Sequence, residues 1–126
     1  MCLSPDYPII TGSKLPRSVI GYKVVDNELR SWFKHDIYRI FRYVIGKTHR
    51  TKHTPGFSVF ENLADAKALR KWIVAKSFWT IMGVKPYIIK VRLTKIGAKG
   101  TWIFYPSSRR YSVYEGNALK VLEIVK

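Results

Sequence analysis

The sequence predicts an α+β domain: one main helix at about residues 62–82, packed on a mostly antiparallel sheet of five to seven short strands. Three features carry that prediction. Leu63, Ala66, Leu69 and Ile73 recur at spacings of three, three and four, which is one face of a helix. Ile89, Val91 and Leu93 alternate with Lys90, Arg92 and Thr94, the two-residue period of a half-buried strand. The other apolar runs are short and bounded by Gly, Pro, Asn or Asp.

Residues 1–17 read as an extended arm, because Pro5, Pro8 and Pro16 interrupt any period; Tyr7, Ile9 and Ile10 would lay it over the core. Residues 18–126 form the single domain. Ser18–Val25 is a strand in which Gly21 marks a bulge or a close backbone approach, and Asp26-Asn27 is a turn. Leu29–Gly46 is ambiguous. Ile37, Ile40, Phe41 and Val44 fit a helical stripe, Tyr38, Ile40 and Arg42 fit alternation, and a strand over Ile40–Ile45 is the preferred reading. Lys47–Gly56 is a basic loop ending in a Pro-Gly turn, and Phe57, Val59 and Phe60 form a short buried strand. Asn62 is placed to cap the helix, with Asp65 at the capping-box position; Lys67, Arg70, Lys71 and Lys76 fall on the solvent side. Gly83 and Pro86 stop the helix, with a break near Ser77 allowed. Two strands follow, Tyr87–Ile96 and Thr101–Tyr105, separated by a turn at Gly97–Gly100 and able to form a hairpin. Then come a basic loop at Pro106–Arg110, a strand at Tyr111–Tyr114, a turn at Glu115–Asn117 and a last strand at Ala118–Val125.

Charge is the dominant global property. The chain has 126 residues and a net charge of +15. Between Ala66 and Tyr114 stand eleven Lys or Arg residues and no Asp or Glu. Such a segment repels itself in the folded state, so an anionic partner is the simplest reason for it. Nucleic acid is the first candidate, because a basic surface releases its counterions on binding without reading sequence. The cations expected to meet phosphates are Lys47, Arg50 and Lys52 in the loop, Lys67, Arg70 and Lys71 on the helix, Lys90 and Arg92 on the strand, and Arg109 and Arg110 in the late loop. Trp79, Trp102, Tyr105 and Tyr111 lie near enough in sequence to offer stacking surfaces. No recognition helix, zinc finger or RNA-recognition signature is present, so binding is expected to be backbone-driven and weakly specific.

Catalysis finds little support. Only eight carboxylates are available, and no glycine loop of phosphate-cradling spacing occurs, so no cofactor is expected. His49 and His53 are four apart, but the threonines and Pro55-Gly56 make a poor helix of that loop, and no third ligand accompanies them; no metal is expected. Cys2 lies in the arm, which argues against a preorganised pair with His35, His49 or His53. A single cysteine excludes an internal disulfide, no apolar run reaches the roughly 20 residues of a membrane span, and the first residues lack a signal-peptide layout, so the cytoplasm is the expected compartment. The absence of Gln and the small number of Asn and Met suggest a hot source, whereas the scarcity of Glu argues against one.

The order of motifs Gly21-Tyr22-Lys23, Tyr43-Val44-Ile45-Gly46-Lys47, Gly56-Phe57 to Asp65-Ala66, the Ile89–Leu93 strand and Ala118 to Val125 resembles small uncharacterised α+β proteins of phages and DNA viruses, including archaeal viruses. The resemblance implies a compact α+β fold, a viral origin and hence a host-cytoplasmic setting; it carries over no catalytic residue. Three functions are then in play. They are a non-catalytic module binding DNA or RNA through phosphates, a viral protein binding an acidic host or virion protein, and a small transferase-like enzyme, which a deep pocket gathering His35, Tyr22 and a carboxylate would mark.

Overall fold

The computed structural model describes residues 9–12, 14–30, 42–52, 56–75, 83, 85–104 and 109–126. Among these are strands β1 (Ser18–Val25), β2 (Thr48–Arg50) and β3 (Phe57–Phe60), helix α1 (Leu63–Ala75), and strands β4 (Tyr87–Phe104) and β5 (Arg109–Val125). This is the α+β layout expected, one helix on a five-stranded antiparallel sheet. Residues 1–8, with Cys2 and Tyr7, lie outside the described residues; so do His35, Asp36, His53, residues 76–82 with Trp79, and Tyr105.

β5 is the hub of the sheet. One of its edges pairs with β4 from Phe104↔Arg109 to Ile88↔Val125. The other takes β3, from Phe57↔Gly116 to Phe60↔Val113, and then β2, from Thr48↔Lys120 to Arg50↔Ala118. The far edge of β4 pairs with β1, and β1 meets β3 at Tyr22↔Phe60. Strands β5, β3, β1 and β4 therefore close into a ring. Strand alternation sends side chains in or out of it. Inward go Val25, Phe57, Val59, Ile89, Val91, Leu93, Tyr114, Leu119 and Val121, joined by Tyr43. Outward, Val24, Phe60, Ile88, Tyr111 and Val113 meet Ala66, Leu69 and Ile73 of α1, the stripe that the sequence marks as apolar. Lys23 is only 4% exposed and donates from Nζ to the Ser58 carbonyl at 2.7 Å, with the Tyr43 ring centre 5.9 Å away.

Several local expectations are overturned. Gly97–Gly100 and Glu115–Asn117 are not turns: β4 and β5 run unbroken through both as one hairpin, so the four strands predicted there are two. Gly116 is needed there for space, since a Cβ on it would lie 2.8 Å from the Thr94 carbonyl oxygen. The register slips between Ile96 and Ala98, and Lys95 takes a left-handed φ of 53° just before the slip. Thr48–Arg50, predicted as loop, is a strand because β5 offers it an open edge. The strand predicted over Ile40–Ile45 is absent from its described part. Arg42–Val44 is irregular, and the chain turns at Ile45-Gly46, where Gly46 has a φ of 84°. Tyr43 is nevertheless fully buried, its amide donating to the Leu29 carbonyl at 2.8 Å. Among the arm's described residues, Ile10 and Lys99 exchange two main-chain hydrogen bonds and Leu15 packs on the core, while Ile9 and Ile10, expected to cover it, stay 45% exposed. Gly21 does mark a close approach, since a Cβ there would lie 2.6 Å from Val59 Cγ2.

Asp65 does more than complement the helix start. Its carboxylate is nearly buried and accepts from the Arg109 guanidinium at 3.0 Å and from the Ser112 amide at 3.3 Å, which ties α1 to β5. Glu61 beside it accepts from the Ser112 hydroxyl at 2.5 Å and pairs with Lys99 at 3.4 Å. Replacing Asp65 by Asn keeps the shape and removes the charge. Because Arg109 is half exposed, the expected cost is about 1 to 2 kcal/mol. Urea denaturation checks it; an unmoved midpoint would show that the tether contributes nothing.

Candidate nucleic-acid interface

The alternation that buries Ile89, Val91 and Leu93 turns Lys90 and Arg92 to the outside of the ring. The register then decides what surrounds them. Arg92 stands directly opposite Lys120 of β5, whose neighbours Leu119 and Val121 point inward. Lys120 is in turn opposite Thr48 of β2, so Arg50, two residues along, shares the outward face. On the β1 side Arg92 faces Ile20, and Lys90 faces Tyr22. Arg50, Arg92 and Lys120 are exposed and Lys90 is half-buried. Directly opposite residues hold their Cβ atoms about 5 Å apart, and alternate residues along a strand are about 6.6 Å apart. Four cations thus share one short stretch of sheet.

The carboxylates that would neutralise them are committed elsewhere. Glu28 pairs with Arg30 and Arg42, Glu61 with Lys99 and Asp65 with Arg109. Asp26 accepts from the Glu28 and Arg30 amides at 2.9 Å each, closing its own turn. Glu115 accepts from the Ser58 hydroxyl at 3.5 Å, and burial raises its carboxyl pKa above the ordinary value. Among the described residues only Glu123, opposite Lys90, adds a negative charge to the face, and none of Arg50, Lys90, Arg92 and Lys120 takes part in an ion pair.

The ten predicted cations do not all gather here. Arg50, Lys90 and Arg92 do. Lys47 and Lys52 are exposed at either end of β2, close beside the group. Lys67, Arg70 and Lys71 form a second group on α1. Arg109 and Arg110 sit at the far end of the hairpin in β5, not in a loop; Arg109 is tied to Asp65 and lies 5.7 Å from the centre of the Tyr111 ring, which gives it a structural task. Lys120 was missed. No local signal in Ala118–Val125 distinguishes it; only the pairing of β4 with β5 does. Of the expected stacking aromatics, Tyr111 is 1% exposed, and it and the half-buried Trp102 pack with Phe60 in the core under α1, ring centres 5.1 to 5.9 Å apart.

His49 is likewise occupied. Its Nε2 accepts from the Val44 amide at 3.2 Å and its ring meets Tyr43 edge-on, while burial, with Lys47 nearby, holds its pKa below the ordinary value. A proton on Nε2 would remove that acceptor. Among the described residues no group of three potential metal ligands occurs, and no helix is long and apolar enough to cross a membrane. Comparison of the chain with family models, with curated proteins and with solved structures finds no match.

Proposed function

We propose that this protein is a basic module that binds nucleic acid through its phosphates, with little dependence on sequence, and that the outward face of β1, β4, β5 and β2 is its contact surface. One observation carries the reading: Arg92 stands across from Lys120 with Lys90 and Arg50 beside them. Like charges directly opposite in a sheet destabilise it by several tenths of a kcal/mol. An ordinary solvated face interleaves the two signs, whereas among the described residues this one has four cations to the single acid Glu123. A polyanion laid over the face removes the repulsion and gains counterion release. The cations contact backbone phosphates, which fix position without reading bases.

The test is anisotropy of a labelled oligonucleotide against salt. If four phosphates are engaged, the log–log slope is about −3, so affinity falls roughly 60-fold between about 50 and 200 mM salt. A flat salt response, or no binding at the lower salt, removes the proposal. Capture of an acidic protein by a chain that ignores nucleic acid would assign the same face to that partner instead.

A further inference from the structure

Resting on that reading, we infer that the face takes single-stranded rather than duplex nucleic acid, with Tyr22 as the ring on which a base stacks. Two columns of outward residues adjoin on this face. On β4 the outward column is Lys90 and Arg92; on β1, directly opposite, it is Tyr22 and Ile20. Each cation therefore has an apolar neighbour on the same side: Lys90 faces the half-buried Tyr22, and Arg92 faces Ile20, which is 36% exposed. On the other side of the cations stand Lys120 opposite Arg92 and Glu123 opposite Lys90.

A duplex presents phosphates and groove edges outward and keeps its base faces stacked inside. Against it the cations would be used and the Ile20–Tyr22 column would gain nothing. A single strand has phosphates along one side and unstacked bases along the other, which matches a cationic column beside an apolar one. Tyr22 is braced for the role, because part of its ring packs on the cluster beneath α1. Glu123 sets the polarity of the arrangement: its charge repels a phosphate from the β5 side of Lys90, so the backbone passes over Arg92 and Lys120 while the bases lie toward β1. The matched rows are two, since the next pair is Ser18 opposite Thr94. The stacking footprint is accordingly short.

The experiment titrates the full chain against a labelled 20-nucleotide oligothymidine and a labelled 20-base-pair duplex at about 100 mM salt. The single strand is expected to bind about tenfold more tightly. Tyr22→Leu keeps apolar bulk against α1 and removes the ring; it is expected to lower single-strand affinity about tenfold and bring the ratio of the two affinities toward one, while Tyr22→Phe keeps the ratio. Circular dichroism of both variants confirms that they fold. Equal affinity for the two probes overturns the inference. So does a Tyr22→Leu chain with undiminished single-strand affinity. Either result leaves phosphate binding standing, whereas binding of neither probe overturns both readings.

Discussion

A chain carrying Arg92→Glu and Lys120→Glu is expected to lose about a hundredfold in affinity for an oligonucleotide at about 50 mM salt, and its salt slope to become shallower by about 1.4. On the proposed reading each substitution would remove a phosphate contact and put a repelling charge in its place. The two positions face each other across β4 and β5, so the damage falls at one point of the surface. Net charge alone does not explain such a loss. Lys14→Glu with Lys85→Glu makes the same change, from +15 to +11 since two reversals remove four units, at exposed positions outside this face. That chain is expected to bind within about threefold of the parent, because neither residue stands in the outward columns of β4, β5 and β2, and solvent-exposed charges away from the contact surface are weakened by salt, with a Debye length of about 14 Å at about 50 mM. Equal losses in the two chains would mean that the charge acts as a diffuse cloud and that no face exists.

The second large effect concerns folding. Gly56→Ala is expected to destabilise the chain by about 3 to 5 kcal/mol, a large part of the 5 to 15 kcal/mol typical of a domain. A Cβ at residue 56 would lie 2.2 Å from the Gly116 carbonyl oxygen and 2.7 Å from its carbon. Both are main-chain atoms, so no side chain can swing aside. Gly116 has little room of its own, since a Cβ there would lie 2.8 Å from the Thr94 carbonyl oxygen and 2.9 Å from Leu93 Cγ. The residue before β3, the middle of β5 and β4 thus crowd together around Gly116. Forcing β3 away unpairs Phe57 from Gly116 and opens the interior around Phe57 and Val59. Gly97→Ala is the control, with nothing within 4 Å of its Cβ position, and should change stability by less than about 1 kcal/mol. Urea denaturation of the two variants decides the matter; equal midpoints would show that the closure tolerates the extra atom.

These two predictions also mark where the sequence was readable. The apolar stripe of α1, the alternation of Ile89, Val91 and Leu93, and the close approach at Gly21 follow from periods and residue types that act locally. The role of Gly116 does not. Within Glu115-Gly116-Asn117 the residue types favour a turn, and only the packing of three strands shows that Gly is there for want of space. Thr48–Arg50 is polar enough to pass for loop; its strand character comes from an edge about seventy residues away. Asp65 sits where a cap is expected, yet its partners Arg109 and Ser112 belong to β5. The candidate interface was half legible for the same reason. Lys90 and Arg92 announce themselves by alternation, whereas Lys120 joins them only through a register that no local pattern fixes, since it includes the slip between Lys90 and Val91.

The central claim is that this surface keeps its cations together at some cost to the fold because an anionic partner uses them. Lys120→Glu tests it in one molecule, since the new carboxylate would stand across from Arg92 and turn a repelling pair into an attracting one. Stability and oligonucleotide affinity are measured on the same preparation. The expected result is opposite movement: stability rises by about 0.5 kcal/mol while affinity falls about tenfold. Affinity that stays where it was, whatever stability does, would contradict the claim.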